Sequence, residues 1–221
     1  MGINMKYETN PITIRKNSFK VIEEKLSLDH LDLNEKLIVL QMIEASGDIS
    51  ILENLRFSST AITKALIHLK GDYDLLCDTE AVVCNLKKKY LKNEPICFIN
   101  KANVISHSKS NKTTRSMVAV DLWKPFIDES IILIGSEPTA LFRLLELLKE
   151  EKNSKKPALI IATPVGFTGA IEAKQLLWEM HEKLDIPCIT ILGNRGSSTL
   201  TTTVMNTLLQ INKEQLESEK N

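Results

Sequence analysis

Residues 130–148 read SIILIGSEPTALFRLLELL, and this stretch decides the fold. Ser130–Gly135 is a near-continuous apolar run, the pattern of a strand covered on both faces. Gly135 and Pro138 punctuate it, after which Phe142, Leu145 and Leu148 recur at helical spacing. Buried strand, short turn and amphipathic helix in direct succession make half of a βαβ unit. The same order recurs downstream. Ala158–Thr163 (ALIIAT) runs through Gly169 into a helical period of Ala173, Leu176, Leu177 and Met180, and Cys188–Gly193 (CITILG) runs into TLTTTVMNTLL. Tyr73–Asp78 (YDLLCD) and Pro95–Asn100 (PICFIN) complete five strand-like runs. Upstream, Ser18–Leu26, Leu33–Ala45 and Ser58–Lys70 read as helices, with Gly47 and Gly71 at C-cap positions. The expectation is an α/β fold of one domain over residues 1–221. Its sheet is five-stranded, mainly parallel and doubly wound, with helices on both faces and a helical N-terminal segment. Residues 101–114 (KANVISHSKSNKTT) read as a loop, and the polar tail from Lys213 as frayed.

Composition sets the outer limits. A chain of 221 residues with 43% hydrophobic and 25% charged residues is ordinary globular material. At this length it buries about 70% of its unfolded surface and needs no metal or disulfide staple. Lys+Arg and Asp+Glu both count 28, so bulk charge gives no hold on nucleic acid. No apolar run approaches the ~18 residues of a membrane span, and the N-terminus has no secretory signal, so a cytoplasmic location is expected. Cys77, Cys84, Cys97 and Cys188 form no CxxC pair and no metal-ligand cluster. Charge is nevertheless uneven. From Lys87 to Arg115 eight basic residues face one acid, Glu94. That window reads either as a solvated face or as a basic mouth for an anionic ligand.

In an open α/β sheet, ligands sit outside the carboxyl ends of the strands. Three of those ends lead into glycine-containing turns: GSEP at Gly135, TPVGFTG at Thr163 and GNRGSS at Gly193. Glycines allow close backbone approach, and helix N-termini present free N–H groups, so three such turns suit a carboxylate-rich or phosphorylated molecule. Tight turns alone would use the same glycines. The nucleotide-binding signatures GxGxxG and GxxxxGK[ST] are missing, as are GxSxG and HExxH.

Seven segments carry a family resemblance: NSF at 17–19, MIEASGD at 42–48, YDLLCDTEAV at 73–82, TTRS at 113–116, GSEPTALFRLLEL at 135–147, TPVGFTGAIEAK at 163–174 and GNRGSS at 193–198. Together, and in this order, they resemble the precorrin-8X methylmutase (precorrin isomerase) family. The resemblance implies an isomerase of cobalamin biosynthesis that moves a methyl group from C-11 to C-12 of precorrin-8X or cobalt-precorrin-8. The product would be hydrogenobyrinate or cobyrinate. It further implies no external cofactor, an anionic tetrapyrrole substrate, and a homodimer with the site near the subunit interface. By matching position, Ser18, Thr114, Arg115, Ser116 and Arg195 are the substrate-binding candidates.

The chain departs from that pattern at the site itself. The family reads Arg-x-x-His where this chain reads Gln41-Met-Ile-Glu44. The resemblance therefore places Gln41 at a substrate-binding position and Glu44 at that of the proton-donating histidine. A carboxylic acid can donate a proton, so Glu44 is the catalytic candidate. Three residues apart, the two share a helix face and would reshape one part of the pocket. Asn194 stands where an arginine is usual, and Lys112 where a glycine is usual. The alternative is a tetrapyrrole-binding relative that does not catalyse.

Overall fold

The computed structural model describes residues 7–150 and 155–219. In chain order the elements are α1 (Pro11–Lys25), α2 (Leu33–Ser46), β1 (Leu55–Phe57), α3 (Ala61–Lys70), β2 (Leu75–Cys77), α4 (Glu80–Asn85), α5 (Ala102–Ser110) and α6 (Arg115–Asp121). They continue as β3 (Ile131–Ile134), α7 (Pro138–Glu150), β4 (Leu159–Ala162), α8 (Ala170–Leu184), β5 (Cys188–Ile191) and α9 (Ser198–Ser218). The sheet order is β1-β5-β4-β3-β2, parallel throughout except for β1, which pairs antiparallel with β5.

Alternation along each strand builds two cores. Ile131, Leu133, Leu159, Ile161, Ile189 and Ile191 point to one face, which α2, α3 and α9 cover. Ile132, Ile134, Ile160, Ala162 and Cys188 point to the other, covered by α6, α7 and α8. Both faces being dry explains why these strands read as unbroken apolar runs.

The helix boundaries follow local chemistry. Asn10 caps α1 by accepting from the N–H groups of Ile12 and Thr13, with Pro11 at the first helical position. Asp32 and Glu35 form a reciprocal capping box at the start of α2, and Gly47 closes it at φ 68°.

Four expectations are corrected. Pro95–Asn100 is not a strand: Ile96 makes one isolated bridge to Leu76 at the sheet edge. Pro95 lacks an N–H, and the segment stays only partly buried. The fifth strand is instead β1, three residues with Arg56 in the middle and no apolar run to announce it. Residues 101–114 are not a loop. They contain α5, whose core contact rests on Val104 and Ser108, too thin a stripe to register as a period. The tail beyond Lys213 continues α9 to Ser218, and Lys213–Glu217 and Lys70–Glu219 ion pairs run along it.

Candidate functional site

Helices α1 and α2 flank an open cavity of about 530 Å³. Its walls include Ile14, Val21, Ile22, Ile43 and Ile49, and Ser18 and Glu44 stand among them. The stripe Ile14–Ser18–Val21–Ile22–Lys25 lines it because those positions recur on one face of α1. Glu44 lies in the last turn of α2, before the Gly47 cap, and its carboxylate Oε2 is 3.5 Å from the Arg15 Nε. Ser18 donates its hydroxyl proton to the Ile14 carbonyl at 3.0 Å. Gln41 is buried and is not part of the cavity wall. The one-turn spacing that was expected to place Gln41 and Glu44 on the same part of the pocket therefore does not do so, since α2 packs its Gln41 side inward while its final turn opens onto the cavity.

Arg195 is tied to the same region from the far end of the chain. Its Nη1 lies 2.7 Å from Asp48 Oδ2 and donates to the Ser50 hydroxyl, just past the α2 cap. Ser50 also donates to Asp48 and, with its backbone N–H, holds the Asp48 carboxyl below its ordinary value.

The TTRS segment forms a separate cluster. Thr114 caps α6 by accepting from the Met117 N–H, and its hydroxyl lies 2.8 Å from that of Thr139 on α7. Ser116 is buried and joins both hydroxyls. Arg115 is exposed and reaches Asn100 Oδ1 at 3.3 Å. Arg115 and Arg195 thus have different partners on different elements. Lys112, just before the TTRS segment, has φ 51°, a left-handed conformation that glycine adopts freely.

The glycine turns at the strand ends serve one another. Asp78, buried at the end of β2, accepts backbone N–H bonds from Gly135, Ser136 and Glu137 at 2.9–3.2 Å. Burial pushes this carboxyl up, while those three donors pull it down. The N–H groups that the sequence suggested for a ligand at GSEP are therefore already paired. A Cβ on Gly196 would sit 2.1 Å from the Thr163 carbonyl oxygen, so that close approach brings backbone to backbone. Ser136 and Ser198 hydroxyls meet at 2.6 Å, as do those of Thr163 and Thr201. In the third turn, TPVGFTG, the Thr163 hydroxyl and the Gly166 N–H donate to the Ser197 and Asn194 carbonyls, and its outer part is open, with Phe167 87% exposed and Val165 and Ile171 exposed as well.

Part of the basic window is likewise structural. Lys92 donates to the Lys70 and Gly71 carbonyls and closes α3, while Lys89 and Lys101 lie over the rings of Tyr90 and Phe98.

Lys174 escaped the sequence reading. It is wholly buried on α8, and its ammonium donates to the Arg195 carbonyl. Burial pulls it down to about 8. The signal was present in TPVGFTGAIEAK, where Lys174 follows Ala173 on the apolar side of the helix. Among the described residues no group of three or more His, Cys, Asp or Glu is placed to hold a metal ion. No helix there is long and apolar enough to cross a membrane.

Fold and site together define a single-domain, doubly wound α/β protein with an open apolar cavity walled in part by a serine and a carboxylate. A family model described as precorrin-8X methylmutase matches residues 13–211, and the chain belongs to that family of isomerases. It is 32% identical to the precorrin-8X methylmutase of Pseudomonas aeruginosa over 197 residues, 88% of this chain and 93% of that one. It is 30% identical to the cobalt-precorrin-8 methylmutase of Leptospira interrogans, over 91% of this chain and 94% of the relative. The solved structure of precorrin-8X methyl mutase from Thermus thermophilus superposes with a TM-score of 0.81 at 27% identity, covering 92% of this chain and 97% of that one.

Proposed function

We propose that the protein is a methylmutase of cobalamin biosynthesis that moves the C-11 methyl of precorrin-8X, or of cobalt-precorrin-8, to C-12. The observation that carries this is family membership across residues 13–211, in a chain that keeps Ser18 on the cavity wall and sets a carboxyl, Glu44, beside it. The reaction is an isomerisation: one C–C bond breaks and another forms within one molecule, and no atom is gained or lost. What the protein must supply is a slot for a broad apolar ring, donors for its peripheral carboxylates, and a proton for a ring nitrogen. The aliphatic lining of the cavity suits the ring. Glu44 is the group assigned to the proton.

Ser18, Gln41, Thr114, Arg115, Ser116 and Arg195 are assigned to substrate binding. Of these, Arg115 and Arg195 carry charge suited to an acetate or propionate. Gln41 would act from behind the cavity wall. The protein is assigned to the cytoplasm and to a homodimer. The dimer is supported by three exposed apolar side chains, Val165, Phe167 and Ile171, which follow the carboxyl end of the middle strand β4. A binder without catalysis has no observation in its favour over this reading.

The test is direct. Purified protein incubated with precorrin-8X should convert its absorbance spectrum to that of hydrogenobyrinate. Glu44→Gln should slow conversion about 10²- to 10⁴-fold, the range general acid catalysis supplies, with substrate affinity little changed. A saturable spectral shift without conversion by the parent protein refutes the catalytic reading.

A further inference from the structure

We infer that Arg15 is a substrate-binding residue: its guanidinium, held beside Glu44 at the edge of the α1–α2 cavity, takes a carboxylate of the bound tetrapyrrole. This rests on the methylmutase reading, which makes the ligand a polyacid. Among the described residues, the charged members of the cavity wall are Glu8, Glu44 and Lys25. Two acids against one base would repel a polycarboxylate on approach. Arg15 restores the balance at the point where it matters, 3.5 Å from the Glu44 carboxylate.

The geometry of the pair favours exchange of partners. The approach of Arg15 to Glu44 is through Nε at 3.5 Å, too long for a good hydrogen bond. A guanidinium has five N–H donors in a fixed fork, and the two terminal nitrogens, which donate to no acceptor among the described residues, suit a second, bidentate carboxylate. The two side chains are 49% and 26% exposed, so water already weakens the existing pair, and little is lost when a ligand displaces it. Arg15 also sits next to Ile14 and one turn before Ser18, both in the cavity wall, so a carboxylate on its fork belongs to a ring seated in the cavity.

Initial rates on precorrin-8X test this in four proteins: parent, Arg15→Ala, Arg15→Lys and, as a control, Lys20→Ala. Lys20 is an exposed residue of α1 paired only with Glu24, one turn further along the same helix, among the described residues. Arg15→Ala should raise KM roughly 10- to 100-fold with kcat within a factor of two, the range of one charge-assisted contact. Arg15→Lys should fall between, because an ammonium keeps the charge and loses the fork. The KM of the parent should also rise more steeply with salt than that of Arg15→Ala. Adding Arg15→Ala to a Glu44→Gln background should still raise KM. If KM there is unmoved, Arg15 acts only by holding Glu44 and the inference fails. A parent that turns over precorrin-8X with Arg15→Ala at the parent KM overturns the inference and leaves the methylmutase reading standing. A parent silent toward precorrin-8X overturns both.

Discussion

Lys174 gives a stability measurement that follows from the structure alone. Its side chain is 0% exposed and its ammonium has the Arg195 carbonyl as partner. Lysine in water titrates near 10.5, and burial lowers this one to about 8, because the desolvated form is the charged one. The folded value is thus below the unfolded value. At pH 7 the group is protonated in both states and the full penalty of burying charge is present. As pH rises past 8 the folded protein releases its proton while the unfolded chain keeps it, so the unfolded state binds more protons and stability rises. Between pH 7 and pH 9 this linkage contributes about 1.4 kcal/mol of added stability. Lys174→Met keeps similar volume and removes the titration. Urea unfolding of both proteins at pH 7, 8 and 9 isolates the effect, because the other ionisable groups contribute alike to both. The parent should gain about 1.4 kcal/mol on the variant over that range. Parallel pH curves for the two proteins would mean that Lys174 titrates as an ordinary lysine, and the reasoning from burial would be wrong.

Two further outcomes bear on the sheet edge that gathers the turns. Gly196→Ala would drive a methyl to 2.1 Å from the Thr163 carbonyl oxygen, so the backbone must shift, and denaturant unfolding should show a loss of about 1–3 kcal/mol or more. Asp78→Ala leaves the N–H groups of Gly135, Ser136 and Glu137 without their acceptor and should destabilise by about 1–3 kcal/mol for each group that water does not reach. Asp78→Asn retains an acceptor oxygen and should recover much of that loss, a contrast readable in thermal melts.

The parallel core of the fold was legible in the residues because burial on both faces forces continuous apolar runs. SIILIG, ALIIAT and CITILG announce β3, β4 and β5, and the periods after Pro138 and Gly169 announce α7 and α8. Gly47 likewise marks the end of α2 through chemistry confined to one turn. The errors fell where an element rests on distant partners. Leu55–Phe57 is a strand only because β5 offers it an antiparallel edge, and Pro95–Asn100 is apolar yet meets the sheet through a single residue. Helix α5 is held by Val104 and Ser108 against the far core, which no local period records.

The candidate site divides the same way. The sequence, matched to the family's motifs, singled out Ser18, Gln41, Glu44, Thr114, Arg115, Ser116 and Arg195, because residue type and matching position are local properties. Which of them face one cavity depends on how helices pack, and that is tertiary. The packing of α1 on α2 put Ser18 and Glu44 in one wall and left Gln41 behind it. It brought Arg15 to Glu44 across 29 residues of chain, and the chain's return from β5 brought Arg195 to Asp48. It also spent the N–H groups of one glycine turn on Asp78 and the close approach of another on Thr163. A turn sequence states that donors and close approach are available, whereas only the positions of neighbouring chain segments decide whether protein or ligand takes them.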